Sequence, residues 1–482
     1  MDNKKLKAFF EDEKKQNIFL MALSAFVIIL WIPMALTKNV AYDQGYTVAM
    51  VRHSFSDIIT LCSNDVHSPL YYFIAKIFYH LFFNNIFGLK ICSLFFMAIY
   101  FYLLSVPFKK EFGFKMALSM IVLSSFFPTF LTHNTEPRMY AMSVAFFSLT
   151  LFLGYKIIKD FKISYAVLFL LASAFSTYIH TYTMLATVLL YLVMAVFILV
   201  GKKDRKKKII WFLINSALVS IMYLPWLFSL MSQFGKKSEG LNTEYDAAYF
   251  VKDTINELFS SITYPKKWQV AIWLIIIFAT LVFMIVKKSK YIKYVLISYA
   301  ALYILCFVGI ILSVNNSPCY LGRYIICLAP MILFGISAGI EQIKSKWICA
   351  AILLLSIMAG VLVYRDRIRY EYESSIDDYL AYANENFKSD DAILYADLHN
   401  DYLSIYYPEA YSLIYGFRDD FNPFDNDETF TDIDQLKKIK GDVYLICFDN
   451  KNPDWFLECE YEKKYGFHFL YYDFSIYRIY NF

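Results

Sequence analysis

Long apolar runs alternate with short polar connections along most of the chain. The first run extends from Asn17 to Leu36, and others follow at 89–107, 115–132, 139–157, 163–179, 182–200, 209–230, 268–286, 292–313, 323–340 and 347–364. A helix of about 20 apolar residues crosses the roughly 30 Å of hydrocarbon in a bilayer. The pattern therefore predicts about eleven membrane-spanning helices. The first is expected to be an anchor, because no small-residue cleavage site follows Leu36.

The apolar run from Ser68 to Phe83 differs from the others. It is only about 16 residues long and contains Lys76 and His80, so it is short for a crossing. Counting it as a span would also place some basic connections outside the membrane. We therefore expect a helix that lies at the outer interface or re-enters, and the sequence leaves open whether it spans.

Five connections between the runs are basic: FKKEFGFK, KIIKDFK, GKKDRKKK, KKSKYIK and EQIKSK. Basic connections favour the cytoplasmic side of a membrane. The predicted topology therefore has a cytoplasmic amino terminus and an outer carboxyl end, in the plasma (inner) membrane. From Arg365 onward the chain holds 25 of its 42 acidic residues but only 12 of its 46 basic ones, which suits an outer domain.

The last part of the chain, 365–482, predicts a small extracytoplasmic α/β domain after a membrane domain at 1–364. SIDDYLAYANENF and TDIDQLKKI have helical patterns, DAILYAD and GDVYLICFD resemble buried strands, and HFLYYDFSIYRIY alternates as a strand or hairpin does. Cys447 and Cys459 both fall in this domain, and the sequence leaves open whether they pair. Two outer loops, 38–67 and 231–267, interrupt the membrane domain.

Composition supports a polytopic α-helical membrane protein. Hydrophobic residues make up 59% of 482 and mean hydropathy is +0.44, which excludes a water-soluble protein with one core. The chain has no glycine-rich phosphate loop, nucleotide fingerprint or HExxH motif. No nucleic-acid partner is predicted.

Candidate chemistry lies in polar residues at the outer ends of the spans, where ionisable groups near hydrocarbon are costly and often functional. The clusters are Asp43 with Gln44, Asp65 with His67, the segment His133 to Tyr140, the pair His180 and Tyr182, and Arg323 with Tyr324. All are predicted on the same side of the membrane. They are thus candidates for one site.

The order of these motifs resembles that of a large membrane family. An early-loop Asp is followed by D-x-H-x-P-L-Y-Y, by G-L-K-x-x-S at Gly88 to Ser93, by E-x-R-M-Y-A, and by R-Y ahead of Pro330. This order is similar to that of the GT-C-fold glycosyltransferases of the protein O-mannosyltransferase and lipid A aminoarabinose transferase type. The resemblance covers roughly residues 17 to 340. It implies transfer of a sugar from undecaprenyl phosphate to an acceptor at the outer face of a bacterial membrane.

Asp43 matches the first carboxylate of the family's Asp-Glu pair, which implies a catalytic role. A carboxylate there can take the proton of an acceptor hydroxyl as it attacks the anomeric carbon, with inversion. Gln44 departs from the pattern, because an amide can orient an acceptor but holds no charge. An alternative is that Asp43 only caps a helix that begins at Gln44.

The other matched residues are expected to bind substrate. Asp65 and His67 match the family's D-x-H segment, although Asp65 could instead cap the following helix. Arg138, Arg323 and Lys90 can stabilise the leaving phosphate, or can extend to lipid headgroups. The remaining candidates are Gln44, Glu136, Tyr140, His180 and Tyr324.

No cofactor is predicted, although His67, His133 and His180 leave a divalent metal as an alternative. The expected partners are a polyprenyl-phosphate sugar, membrane lipid, and a glycan, lipid or protein acceptor. A non-catalytic flippase or exporter of lipid-linked saccharide, or a saccharide polymerase or ligase, remains an alternative function. The sequence does not identify the sugar or the acceptor.

Overall fold

The structure is a computed structural model. It describes residues 12–65, 67–233, 246–261, 264–315, 319–373, 376–395, 401–406, 411–415, 424, 427–430, 433–448, 456, 459–470 and 472–481. Most of the predicted outer loop 231–267 is included, but residues 234–245 and 262–263 lie outside the described part.

Helices dominate the chain as far as residue 386. In chain order they are α1 Glu13–Ala35, α2 Tyr42–Met50, α3 Phe55–Asn64, α4 Leu70–Leu81, α5 Ile86–Leu103, α6 Phe114–Phe126, α7 Pro128–His133, α8 Tyr140–Lys159, α9 Ile163–Ile179, α10 Thr181–Val200, α11 Arg205–Gln233, α12 Ala247–Phe259, α13 Lys267–Val286, α14 Ile292–Asn315, α15 Ala329–Gln342, α16 Lys346–Tyr372 and α17 Asp377–Asn386. A π-helical turn, Leu104–Phe108, and the segment Lys109–Phe112 extend α5, and a 3-10 helix, Gly322–Leu328, leads into α15.

Nine helical segments within the described residues are long and apolar enough to cross a membrane. Two shorter apolar helices, α6 and α9, complete the set of eleven runs that the hydropathy pattern predicts. The predicted class of a polytopic helical membrane protein is confirmed. The run from Ser68 to Phe83 forms only the 12-residue helix α4. At 1.5 Å per residue it covers about 18 Å, less than a hydrocarbon crossing requires.

The chain divides into two compact units. The first unit contains residues 1–33, 66–71 and 90–367, and the second contains residues 34–65, 72–89 and 368–482. Most of the apolar helices therefore belong to the first unit. The second unit combines the predicted outer loop that bears Asp43 with the predicted carboxyl-terminal domain.

Basic connections meet at one end of the first unit. Glu111 accepts from Lys156 Nζ at 2.6 Å and also contacts Lys159. Lys208 Nζ donates to the carbonyl of Ile158 at 2.7 Å. Three of the predicted cytoplasmic connections thus lie together. The 20-residue helix α8 leads from this end, at Lys159, to Tyr140, about 30 Å away.

Small side chains allow the spans to pack closely. The buried helix α15 contains Gly335, Ser337, Ala338 and Gly339, and a Cβ added at Gly339 would lie 2.5 Å from Thr280 Cβ of α13. Close approach of helix backbones is the usual source of packing energy within a bilayer. An apolar cavity of about 160 Å³ remains in the first unit, lined by residues that include Tyr100, Phe147, Leu190, Ala301 and Met331.

The second unit contains a six-stranded mixed sheet. Its strands are β1 Ala392–Tyr395, β2 Tyr411–Tyr415, β3 Asp427–Phe430, β4 Val443–Phe448, β5 Glu460–Phe469 and β6 Tyr472–Asn481, in the order β3-β2-β1-β4-β6-β5. The first four pair in parallel, and β6 joins β4 and β5 antiparallel. The edge strand β5 begins with the exposed residues Glu460 to Lys464.

The sheet confirms the predicted small α/β region. Strands β1, β4 and β6 occupy the predicted segments, and α17 is the predicted helix. The predicted segment HFLYYDFSIYRIY includes only the last two residues of β5, so most of that strand was not predicted, and Ile433–Lys438 of the predicted helix TDIDQLKKI is a 3-10 helix. Cys447 and Cys459 lie in one apolar core with Leu394 and Leu445. Strands β2 and β3 were not predicted.

The contact of α16 with α6 depends on Gly360. A Cβ at this position would lie 2.3 Å from the carbonyl oxygen of Phe126 and 2.8 Å from its Cα. We expect Gly360→Ala to lower the free energy of unfolding by about 1–3 kcal/mol, because backbone atoms must separate. Thermal unfolding in detergent measures the change. Leu354→Ala, at a side chain that is 58% exposed on the same helix, is the control, and equal midpoints for the two variants would contradict the close contact.

Candidate functional site

His133 is held between two carboxylates in the first unit. It ends α7, and its Nδ1 contacts Glu136 Oε2 while its Nε2 contacts Glu257 Oε1. The His133 side chain is 4% exposed. Carboxylates at both ring nitrogens favour the imidazolium, because each nitrogen then donates a hydrogen bond. The contact also ties α12, which carries Glu257, to the loop that follows α7.

The neighbouring carboxylates stabilise the charged form of His133 despite its burial. Burial alone would lower the pKa of His133, but Glu136 and Glu257 offset it and raise the pKa from 6.5 to about 9. Burial would raise the pKa of Glu136, yet His133, with help from Arg323 and Arg367, lowers it from 4.5 to about 2. At neutral pH the two residues therefore form a charged pair.

Arg138 lies buried beside His67. The Arg138 side chain is largely inaccessible, and its Nη2 donates to His67 Nε2 over 3.0 Å. Because a guanidinium only donates, Nε2 of His67 is the acceptor and the ring is neutral. Ser93 fixes the same loop, since its hydroxyl donates to the carbonyl of Glu136 at 2.5 Å. Three motifs that are separate in sequence thus meet.

Arg323 follows a glycine that lets α12 approach. The Gly322 N–H donates to Asp253 Oδ2 at 2.7 Å, and the hydroxyls of Thr254 and Tyr320 are 2.7 Å apart. A Cβ at Gly322 would lie 2.7 Å from Thr254 Cα, so a larger residue would displace α12. Burial raises the pKa of Asp253, while the Gly322 N–H partly offsets the shift.

A group of aromatic rings adjoins the arginines. The rings of His180 and Tyr324 are 5.0 Å apart, and those of Tyr182 and Tyr324 are 5.4 Å apart. His180 Nδ1 accepts from the Tyr182 N–H at 3.3 Å. Burial, with the nearby charge of Arg138 and Arg323, holds the pKa of His180 well below its usual value. His180 is therefore neutral and presents an Nε2–H donor.

The described residues thus form a dense cluster of charge in the first unit. Arg323 interacts electrostatically with Glu136, Tyr140, His180 and Asp253. Tyr140 also stacks edge-on against His133, with ring centroids 4.9 Å apart. We name this cluster the arginine site; its members are His67, His133, Glu136, Arg138, Tyr140, His180, Asp253, Glu257, Arg323, Tyr324 and Arg367. It contains both cationic and anionic groups in a largely buried setting.

The predicted site residues divide between the two units. His67, Glu136, Arg138, Tyr140, His180, Arg323 and Tyr324 meet in the arginine site of the first unit. Lys90 also belongs to the first unit, where it is 1% exposed. Asp43, Gln44 and Asp65 belong to the second unit. Their part in substrate binding or catalysis stays a prediction.

The local structure around Asp43 contradicts the alternative that this residue caps a helix. Helix α2 begins at Tyr42 with Ala41 as its N-cap, and Asp43 lies in its first turn. The interpretation that Asp43 caps a helix beginning at Gln44 is therefore wrong. Gln44 is buried and its Oε1 lies 3.4 Å from the Ala41 N–H, so its amide supports the start of α2.

Asp65 has a defined contact in the second unit. It follows the last residue of α3 as its C-cap, and its Oδ2 accepts from the Tyr46 hydroxyl at 2.7 Å. The next helix, α4, begins at Leu70. Asp65 therefore joins α2, which contains Tyr46, to the end of α3.

Three members of the arginine site were missed from sequence. Asp253 and Glu257 stand four residues apart in VKDTINELF, which places both carboxylates on one face of α12. That spacing, on a helix in which Phe250 and Thr254 are buried, could have identified the two carboxylates as site residues from sequence. Arg367 follows the last apolar run and lies near the start of the segment that is predicted to be outside, where basic residues are few.

The histidines do not gather as metal ligands. Both nitrogens of His133 contact carboxylates, and within the described residues no group of three or more His, Cys, Asp or Glu has the geometry to hold a metal ion. The absence of a cofactor stays a prediction.

The chain has a GT-C-like fold, which is similar to that of solved structures. The structure is similar to that of ArnT from Cupriavidus metallidurans in the apo state, with a TM-score of 0.64, 10% sequence identity, and coverage of 95% of this chain and 97% of that chain. It is also similar to ArnT from Cupriavidus metallidurans bound to undecaprenyl phosphate, with a TM-score of 0.62, 11% identity and the same coverages. No family model and no curated protein sequence matches the chain. The likeness establishes the fold over nearly the whole chain.

The shifted pKa of His133 predicts a pH-dependent stability. Its folded value of about 9 lies above the usual 6.5, so its contribution is complete below pH 6.5 and is lost as the pH rises through about 9. We expect the unfolding midpoint in detergent to fall over this interval. In His133→Gln the amide does not titrate, so the curve should flatten there. A parallel decline in the variant would contradict the assignment.

Proposed function

We propose that this protein is a membrane glycosyltransferase that moves a sugar from a polyprenyl phosphate to an acceptor. The observation that carries the proposal is the arginine site, in which Arg138 and Arg323 lie among buried groups of a transferase fold. One similar structure, ArnT bound to undecaprenyl phosphate, contains a ligand of this chemical class. Undecaprenyl phosphate is therefore the proposed lipid partner.

The arginines suit the leaving phosphate. Negative charge on the phosphate grows as the glycosidic bond breaks, and fixed guanidinium donors in a dry site stabilise that charge without reorganising. His133 supports this function because the imidazolium partly neutralises the Glu136 carboxylate that it contacts, which would otherwise repel a phosphate near the arginines. Neutral His180 supplies a further donor, and Tyr324 offers a ring face to a sugar. Lys90 is a further proposed phosphate ligand.

Asp43 is the proposed general base. It retains partial exposure at the start of α2, whereas the residues from Gln44 to Met50 are buried. A carboxylate there can accept the proton of an attacking hydroxyl, and direct displacement would invert the anomeric centre. If the acceptor is a phosphate, it needs no strong base. Gln44, Asp65 and His67 remain proposed substrate ligands.

The membrane orientation follows from charge. The basic connections that meet around Glu111 would face the cytoplasm, and the arginine site would then face outward. The proposed location is the plasma membrane of a bacterium, with the amino terminus inside. The apolar cavity among the spans is suited to a hydrocarbon chain, in keeping with a lipid-linked donor.

We expect Asp43→Asn to abolish sugar transfer while the protein still folds, because an amide cannot take the proton. Mass spectrometry of surface polymers and glycoproteins from a deletion strain would identify the missing sugar. Complementation with wild type should restore it and complementation with Asp43→Asn should not. Asp57→Asn, the same change at an exposed residue of the same loop, is the control. Full restoration by Asp43→Asn would remove the proposed base.

We expect Arg323→Gln to weaken binding of undecaprenyl phosphate by about 10-fold or more, because a charge-assisted contact is lost. Native mass spectrometry or ligand-dependent thermal shift in detergent measures the affinity. Arg369→Gln, at a largely exposed arginine paired with Glu373, is the matched control. Unchanged affinity in Arg323→Gln with the fold intact would count against a phosphate role for the arginine site.

A further inference from the structure

A single 3-10 turn of the second unit forms hydrogen bonds with the chain on both sides of α2. The 3-10 helix Asp401–Tyr406 ends with Ile405 and Tyr406. The Tyr406 hydroxyl donates to the carbonyl of Lys38 at 2.9 Å and accepts from the Val40 N–H at 3.0 Å. The carbonyl of Ile405 accepts from Arg52 Nη2 at 2.8 Å. Val40 precedes α2 and Arg52 follows it, so neighbouring residues of one turn fix both ends.

Contacts near α16 strengthen the hold on the amino-terminal side. Asn39 Nδ2 donates to the carbonyl of Glu371 at 2.9 Å, and Asn39 Oδ1 accepts from the Ile376 N–H at 3.2 Å. The Thr37 hydroxyl donates to the Glu371 carboxylate. Asn39 is 4% exposed, and a buried amide with both groups satisfied fixes the local backbone more firmly than an exposed one.

On the carboxyl-terminal side, Lys76 of α4 completes the arrangement. Its ammonium donates to the carbonyls of Val51 and His53 at 2.9 and 2.7 Å. A cation suits this end of a helix, where unpaired carbonyls carry the negative pole of the dipole. Burial lowers the pKa of Lys76, although at neutral pH three donors on one ammonium still match several carbonyls. Little freedom is left for α2 to slide along its axis.

We propose that the Asp401–Tyr406 turn is a positioning element that sets the place of Asp43. This inference rests on the proposed function of Asp43 as the base. Asp43 lies three residues after Val40, whose N–H the Tyr406 hydroxyl binds, so the turn acts on the backbone immediately before the carboxylate. A displacement of about 1 Å can reduce a catalytic rate about 100-fold. The Asp401–Tyr406 turn therefore serves the reaction through the position of Asp43.

The first test uses Tyr406→Phe, which removes only the hydroxyl oxygen of Tyr406. We expect Tyr406→Phe to lower kcat for sugar transfer about 10-fold or more with little change in KM or in unfolding midpoint. We also expect faster hydrogen exchange in peptides covering 37–50, because the Val40 N–H loses its acceptor. Tyr461→Phe, at a tyrosine of β5 that is 45% exposed, is the matched control and should resemble wild type in every measurement.

A second variant acts at the other end of α2. Arg52→Gln removes the donor to Ile405, and we expect the same fall in kcat and the same faster exchange. Wild-type kcat and exchange in both variants would overturn the positioning role. A fall in unfolding midpoint with a proportional loss of all activity would also overturn it, because the turn would then only stabilise the fold.

The variants distinguish the positioning role of the turn from the proposed role of Asp43 as the base. If Asp43→Asn keeps full transfer, the base itself is wrong. If Asp43→Asn is inactive while Tyr406→Phe and Arg52→Gln behave as wild type, the base stands and the positioning element does not. Hydrogen exchange reports on the turn independently of any sugar donor.

Discussion

The contact of His133 with two carboxylates is the interaction on which the arginine site depends. It joins the loop after α7 to α12, and α12 in turn packs on the segment that carries Arg323. A buried ion pair is stabilising only when its geometry is complete, because removal of one partner leaves an uncompensated charge in a dry setting. The charge on Glu136 follows from that contact, and the same contact holds α12 where it packs against Gly322 and Arg323.

Hydropathy and length were enough to predict the spans, since both are local properties of the sequence. The same is true of α17, which has a helical pattern, of β1 and β4, which are short apolar runs, and of β6, which alternates. Strands β2 and β3 were not predicted from the sequence, and the reason is physical. The sequence DETF of β3 is polar and lacks alternation. Strand β2, YSLIY, has only five residues, and periodicity alone does not separate so short an apolar run from part of a helix.

The arginine site shows the same limit. Its arginines were identified separately in the sequence, because a cation at a helix end that is predicted to face outward is unusual. Their organisation depends on Glu257, which is 124 residues from His133 in sequence, and on the close packing that Gly322 permits. Asp65 illustrates the reverse case: its motif suggested substrate binding, while the structure shows a contact with Tyr46 that ties together two helices of its own unit.

The charged edge strand β5 affects how copies of the protein contact one another. Strand β5 lies at one edge and begins Glu-Tyr-Glu-Lys-Lys, five residues that are exposed. An open edge offers unpaired backbone groups to any passing strand, and charge on such an edge opposes that pairing. The charged start of β5 therefore disfavours pairing of this edge with the sheet of a neighbouring copy.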